Sequence, residues 1–270
     1  MTTPKVSRDK TSSAAPAVPR GHFVWYELLA KDQSVATAFY TKVLGWSTEA
    51  WKTPPGAPPY TMWNNAGKAF GGLMQLPAEA EKAGAPSHWL GYVTVPDTDA
   101  SLEQAKRLGA KALMGPMDIP EVGRMAVIAD PQGAVLALFT PKTAASEPPP
   151  SGTISWHELA TTDGTKAWEF YQDLFGWQKG EAMDMGAMGT YQIFTLGGPP
   201  VGGIFNRPPQ IPVSSWLYYF RVASLDDTIE KVKSNGGKIL NGPMDVPNGR
   251  IAQCMDPQGA AFALHWIKEG

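Results

Sequence analysis

The chain reads as an α+β protein made of two tandem copies of one domain, each copy written as two β-α-β-β-β modules. Three observations lead there. A signature of aromatic residues and glycines occurs twice at a nearly constant spacing. Each occurrence opens with a β-prone segment that runs into a capped helical pattern. The same strand-helix-strands order then restarts midway through each copy.

The repeat is anchored on Trp25-Tyr26-Glu27-Leu28 and Trp156-His157-Glu158-Leu159, which lie 131 residues apart. That spacing is kept by Phe39-Tyr40 with Phe170-Tyr171, Gly45-Trp46 with Gly176-Trp177, Tyr60 with Tyr191 and Gly71-Gly72 with Gly202-Gly203. One loop then shortens, and an offset of 127 carries Trp89 onto Trp216 and Gly115-Pro116-Met117-Asp118 onto Gly242-Pro243-Met244-Asp245. At 126 it carries Gly123-Arg124 onto Gly249-Arg250 and Asp130-Pro131-Gln132-Gly133 onto Asp256-Pro257-Gln258-Gly259. A repeat this long is a duplicated domain, each copy with its own core, rather than a solenoid. Residues 1–20, rich in Ser, Thr, Ala and Pro, read as a disordered tail; 21–141 form the first domain, 142–152 a Pro-rich linker and 153–268 the second domain.

Within the first copy, Gly21 to Leu29 predicts a strand, with Asp32 or Ser34 capping a helix from about Val35 to Leu44. Ala36, Phe39, Tyr40 and Val43 form its apolar stripe, and Gly45 ends it. Two or three β-prone segments follow, broken at Pro54-Pro55-Gly56 and Asn64-Asn65, then a Pro-, Gly- and Ala-rich loop to Ser87. The second module predicts a strand over Trp89 to Val95, a helix over Asp99 to Leu108, and strands near Ala112, Arg124 to Ala129 and Val135 to Phe139. Asp-Pro-Gln-Gly reads as a turn.

Composition bounds the partners. A net charge of −2 with dispersed Lys and Arg argues against nucleic acid and against an anionic membrane surface. The single cysteine, Cys254, excludes an intrachain disulfide and multi-cysteine metal sites, which suits a reducing cytoplasm. Apolar runs are too short for a membrane span. Phosphate-binding glycine loops and the Gly-x-Ser-x-Gly elbow are missing. What remains is a small-molecule ligand, and a homo-oligomer is compatible with it.

Paired β-α-β-β-β modules, a strand-cap-helix opening that ends in Phe-Tyr and Gly-Trp, and Asp-Pro-Gln-Gly before a last strand resemble the vicinal oxygen chelate superfamily, which includes glyoxalase I, bleomycin-resistance proteins and extradiol dioxygenases. Over about Gly21 to Ile267 the chain is similar to the tandem glyoxalase-like proteins of bacteria. The resemblance implies that each domain forms a cupped eight-stranded sheet with helices on its outer face. It also implies that metal ligands would stand at Trp25, Leu90, Ala137 and about Met74, and at Trp156, Leu217, Ala263 and about Phe205. None of these side chains suits a divalent ion, so the expectation is no metal and no cofactor.

Strand alternation places Glu27 on the face of Trp25 and Glu158 on the face of Trp156, both toward the cavities. Each glutamate is either a general acid or base or a structural carboxylate paired with Arg124 or Arg250. His265 lies two residues beyond Ala263, so it shares that face and makes an acid-base pair with Glu158 conceivable; Phe139 stands there in the first copy. His157 should face the opposite side of its strand. The candidate catalytic residues are therefore Glu27, Glu158 and His265. Trp25, Trp156, Tyr92, Tyr219, Arg124, Arg250, Gln75 and Asn206 are the candidate ligand contacts. Two functions stay open: a metal-independent glyoxalase-like lyase, isomerase or hydroxylase acting on a small oxygenated or aromatic molecule, or a non-catalytic binding protein of the bleomycin-resistance type.

Overall fold

The computed structural model describes residues 19–53, 59–143, 153–186 and 189–268. The first copy supplies β1 (Phe23–Ala30), α1 (Gln33–Leu44), β2 (Ser47–Trp51), β3 (Tyr60–Asn65), β4 (Lys68–Gln75), α2 (Ala78–Lys82), β5 (His88–Thr94), α3 (Thr98–Arg107), β6 (Lys111–Ile119), β7 (Gly123–Ala129) and β8 (Val135–Pro141). The second supplies β9 (Ile154–Thr161), α4 (Gly164–Phe175), β10 (Gln178–Asp184), β11 (Thr190–Thr195), β12 (Pro200–Asn206), β13 (Ser215–Arg221), α5 (Leu225–Ser234), β14 (Lys238–Val246), β15 (Gly249–Met255) and β16 (Ala261–Ile267). Each copy closes its own eight-stranded sheet, in the orders β2-β3-β4-β1-β5-β8-β7-β6 and β10-β11-β12-β9-β13-β16-β15-β14. The opening strands of the two modules, β1 and β5 or β9 and β13, pair antiparallel at the centre.

Local chemistry accounts for the elements. Asp32 caps α1 by accepting from the backbone N–H groups of Ser34 and Val35, and Asp163 caps α4 through Lys166. Both helices stop at a glycine with φ of 72°, Gly45 and Gly176, a conformation that costs a side-chain-bearing residue more. The loop expected up to Ser87 contains α2 instead, because Ala-Glu-Ala-Glu-Lys is a run of strong helix formers. The tail and the linker lie outside the described residues except for 19–20 and 142–143, while Pro54-Pro55-Gly56 lies wholly outside them. Arg20 is anchored, its guanidinium donating to the carbonyls of Asp173 and Leu174 at the end of α4.

The two copies do not bury separate cores. Residues from both form one continuous apolar cluster between the sheets, and the helices pack along this seam, α1 against α5 and α3 against α4. The expected outer-face helices thus line the seam, with their apolar sides buried and their polar sides exposed, because the faces they cover are too aromatic to leave in water. The seam is an approximate two-fold. Tyr40 of α1 donates to Asp256 Oδ2 of the other copy at 3.3 Å, and Tyr171 of α4 donates to Asp130 Oδ2 at 2.9 Å. Each aspartate's Oδ1 meanwhile holds its own Asp-Pro-Gln-Gly turn through two backbone N–H groups.

On the axis of such an arrangement a residue meets its own counterpart. Tyr26 meets His157 there, with 2.6 Å between Oη and Nε2, and Gly91 N–H donates to the Tyr218 hydroxyl at 2.8 Å. The His157 Nδ1 lies 2.8 Å from the Val201 carbonyl, which can only accept. Nδ1 therefore carries the proton and Nε2 accepts from Tyr26.

Burial pushes the His157 pKa down to about 4, below its ordinary value near 6.5. A depressed histidine contributes stability that is fully present above the unfolded pKa and is lost as pH falls toward the folded one. Urea unfolding should show wild type losing on the order of 2 kcal/mol relative to His157→Gln between about pH 7 and pH 5. A constant difference between the two proteins would mean that His157 takes up a proton as readily folded as unfolded.

Candidate functional site

The faces turned away from the seam carry smaller apolar clusters, one in the first copy around Leu90, Tyr92, Val127 and Ala137, and two in the second that share Trp156. Strand alternation points Trp25 and Glu27, or Trp156 and Glu158, to this far face and Tyr26 or His157 to the seam, and the register irregularity in each strand lies just before the tryptophan. Glu27 is 3% exposed and Glu158 is 9% exposed.

Each glutamate sits at the end of a chain of donors. In the second half the Trp156 indole N–H donates to the Tyr191 hydroxyl at 2.7 Å, and Tyr191 donates to Glu158 Oε2 at 3.0 Å. From β13 the Tyr219 hydroxyl donates to Oε1 at 2.9 Å, and from β15 the Gln253 amide donates to the same oxygen at 3.2 Å. In the first half Trp25 donates to Tyr60 at 2.8 Å and Tyr92 donates to Glu27 Oε2 at 2.5 Å. Burial raises the pKa of both carboxyls above the ordinary carboxylate range, and the tyrosine hydrogen bonds pull back against it. Burial also raises the partner phenols, and the neighbouring carboxylate adds to this, so they stay O–H donors.

Tyr60, Tyr191 and Gln253 escaped the reading of the sequence. The tyrosines were visible as a repeated pair, but their role depends on the Gly-Gly strands beside them. A Cβ on Gly72 would lie 1.9 Å from the Tyr60 hydroxyl oxygen, and one on Gly203 would lie 2.0 Å from the Tyr191 ring. The glycines leave room for a ring to lie across the sheet and reach the glutamate two strands away. Gln253 had no repeat signal, since Val127 occupies its place.

The other candidates go elsewhere. Arg124 follows the parity of Ala126 and Ile128 rather than Val127, and its guanidinium is engaged by Asp99 at 2.5 Å and Asp118 at 2.8 Å. Arg250 likewise pairs with Asp226 at 2.9 Å and Asp245 at 3.7 Å. Neither arginine pairs with a glutamate, which corrects the expected structural ion pair. Gln75 is exposed and donates to the Lys31 carbonyl, and Asn206 accepts from Gly164 N–H at the start of α4, so both tie the end of a strand to the segment that follows the opening strand.

His265 does share the face of Ala263, but it forms no pair with Glu158. Tyr219 stands between them, its hydroxyl on the glutamate and its ring edge-on to the imidazole at 6.5 Å. The imidazole Nδ1 lies 2.9 Å from Ser155 Oγ, and Ser155 in turn donates to the Tyr219 carbonyl at 3.2 Å. The proton of His265 is thereby placed on Nδ1. Its Nε2 is buried without a hydrogen-bond partner.

The sequence model of the Glyoxalase/Bleomycin resistance protein/Dioxygenase superfamily matches residues 21–138 and 153–264. The chain belongs to that superfamily. "Putative glyoxylase CFP32" of Mycobacterium tuberculosis is 34% identical over 247 residues, covering 89% of this chain and 92% of that protein. "Anthracycline biosynthesis protein DnrV" of Streptomyces peucetius is 30% identical over 270 residues, covering 95% of each. The 2,3-dioxygenase LapB from Pseudomonas sp. KL28 superposes with a TM-score of 0.61 at 12% identity, over 95% of this chain and 94% of that one, a likeness of fold.

For a glyoxalase-superfamily protein, the residues on the far faces fit a divalent ion poorly. β4, β1, β5 and β8 are adjacent as the superfamily's ligand scheme requires, but they bring Trp25, Leu90 and Ala137 together. Among the described residues no three His, Cys, Asp or Glu side chains converge. Glu158 faces hydroxyl and amide donors and Glu27 faces phenols, surroundings that supply hydrogen-bond donors rather than further ligands for a cation.

Two outcomes follow. Elemental analysis of purified protein should find no stoichiometric divalent ion; about one tightly held Zn, Mn, Ni or Fe per half would overturn the fit. Gly203→Ala should displace the Tyr191 ring and cost about 1–3 kcal/mol in urea unfolding. An unchanged stability would mean that the ring does not lie where the glycine admits it.

Proposed function

We propose that each far face binds a small oxygenated or aromatic molecule, with its flat part against Trp25 or Trp156 and one oxygen in proton exchange with Glu27 or Glu158. The observation that carries this reading is a buried carboxyl in each half, with phenols and, among the described residues, no cation around it. An isolated buried carboxylate is costly. Surrounded by O–H groups, it is tolerable both as an anion that accepts from them and as an acid that donates, which is what a proton-transfer group needs. An isomerisation by proton transfer requires only such movements, a lyase elimination also requires a leaving group on the substrate to depart with the electron pair, and a hydroxylation would need an oxidant supplied from outside. The name of the Streptomyces relative supports a hydroxylated polycyclic aromatic as the kind of molecule taken up, since planar rings suit the tryptophans and ring oxygens suit the Glu-Tyr sets. No helix of the described residues is long and apolar enough to cross a membrane. The buried free thiol of Cys254 favours a reducing cytoplasm, and the net charge of −2 favours partners other than nucleic acid or an anionic membrane.

Titration with a hydroxyanthraquinone, followed by quenching of tryptophan fluorescence, tests the reading. Glu158→Gln keeps size and breaks no ion pair, so it should weaken binding about tenfold, the equivalent of ~1.4 kcal/mol, while leaving the melting temperature nearly unchanged. Undiminished binding combined with a large loss of stability, from both Glu158→Gln and Glu27→Gln, would make the carboxyls structural. Product analysis by mass spectrometry separates an enzyme from a sequestering protein of the bleomycin-resistance type, which would return the ligand unaltered.

A further inference from the structure

The two far faces share the Trp-Tyr-Glu-Tyr set but not the residue on the seventh strand of each sheet. Val127 of β7 and Gln253 of β15 occupy repeat-equivalent places, paired across to Ala137 and Ala263. In the second half Gln253 completes the shell, so Glu158 receives three side-chain donors distributed over both of its oxygens. In the first half a valine has nothing to donate. Glu27 Oε2 takes the Tyr92 hydroxyl, and Oε1 is buried with no hydrogen-bond partner. Tyr60 lies beside the carboxyl and tempers the effect of burial on it, yet leaves Oε1 without a bond.

Among the described residues the remaining neighbours offer no charge. Across from Glu27 stand Leu90 on β5 and Gly72 on β4, and Arg124 of β7 is turned to Asp99 and Asp118 on the other face. A carboxylate left with one dry oxygen pays the full desolvation cost of that oxygen, whereas a carboxylic acid places its own proton there. Three donors over both oxygens favour the anion in the second half; in the first, two phenols help the anion but the apolar wall at Oε1 favours the acid.

We propose that the residue at 127 or 253 sets the protonation state of the glutamate above it. Glu27 is a neutral acid whose Oε1–H becomes available to a carbonyl or ether oxygen once a ligand moves the side chains that cover it, and Glu158 is a carboxylate that accepts from a ligand hydroxyl. The two halves are then two sites of opposite hydrogen-bonding demand rather than duplicates. The ligand classes rest on the functional reading above; the difference in protonation does not.

Infrared difference spectra of the ligand-free protein at neutral pH test this directly, because a protonated carboxyl has a carbonyl stretch resolved from the carboxylate bands. Subtracting Glu27→Gln from wild type should leave one such band, and subtracting Glu158→Gln should leave none. Exchanging the supporting residues should move it: Val127→Gln should abolish the Glu27 band, and Gln253→Val should create a new one that Glu158→Gln removes. The two exchanges install residues the other half already carries, and Gln253→Val decides alone if a buried glutamine at 127 prevents folding. A band from both glutamates or from neither in wild type, or no new band in Gln253→Val, overturns the proposal. Failure of hydroxyanthraquinone binding with the bands behaving as expected would instead remove only the functional reading.

Discussion

The structure depends on a reciprocal contact: a tyrosine from the first helix of each copy reaches the aspartate that holds the last turn of the other. Neither group could be buried alone at small cost, and each satisfies the other while fastening two sheets back to back. The aspartates do two jobs with two oxygens, one tying Asp-Pro-Gln-Gly and the other accepting across the seam. Around these anchors the aromatic rings of both copies, among them Trp46 against Phe220 and Phe39 against Phe262, pack into one core.

Because the seam consumes one face of each sheet, chemistry is confined to the other. Strand alternation makes the division sharp. Tyr26 and Glu27 are neighbours in the chain, yet one lies on the internal axis and the other in a separate cluster on the far face. A duplicated chain also escapes a limit of true dimers, in which identical residues must face one another on the axis. Here one copy presents a tyrosine where the other presents an acceptor histidine, and a tyrosine where the other has a glycine that leaves room for it. The same freedom extends to the far faces, where Val127 and Gln253, or Phe139 and His265, give two similar sites different polar atoms.

Much of this was legible in the residues. Spacing alone exposed the duplication, the capped helices and their glycine stops, because those features rest on interactions a few residues long. Parity assigned Glu27, Glu158 and His157 to their faces, since a strand has a period of two. The arginines were misjudged as partners of the glutamates for the complementary reason: pairing with Asp99 or Asp226 needs a helix brought over the strand, which no local pattern encodes. Tyr60 and Tyr191 were recognisable as repeats but not as ligands of the carboxyls, because that contact crosses two strands over a glycine.

By itself the sequence determined the domain duplication, the order of strands and helices within each copy, the membership in a superfamily and the side of the sheet on which each glutamate stands. All of these follow from periodicity, capping and repeated motifs, which are properties of neighbours along the chain. Only the tertiary structure decided that the two copies share one core, that the glutamates meet phenols rather than guanidinium groups, and that a valine in one half replaces an amide donor in the other. Those outcomes depend on which strands lie side by side and how two sheets dock, and both are set by packing between residues 41 to 216 positions apart in these contacts.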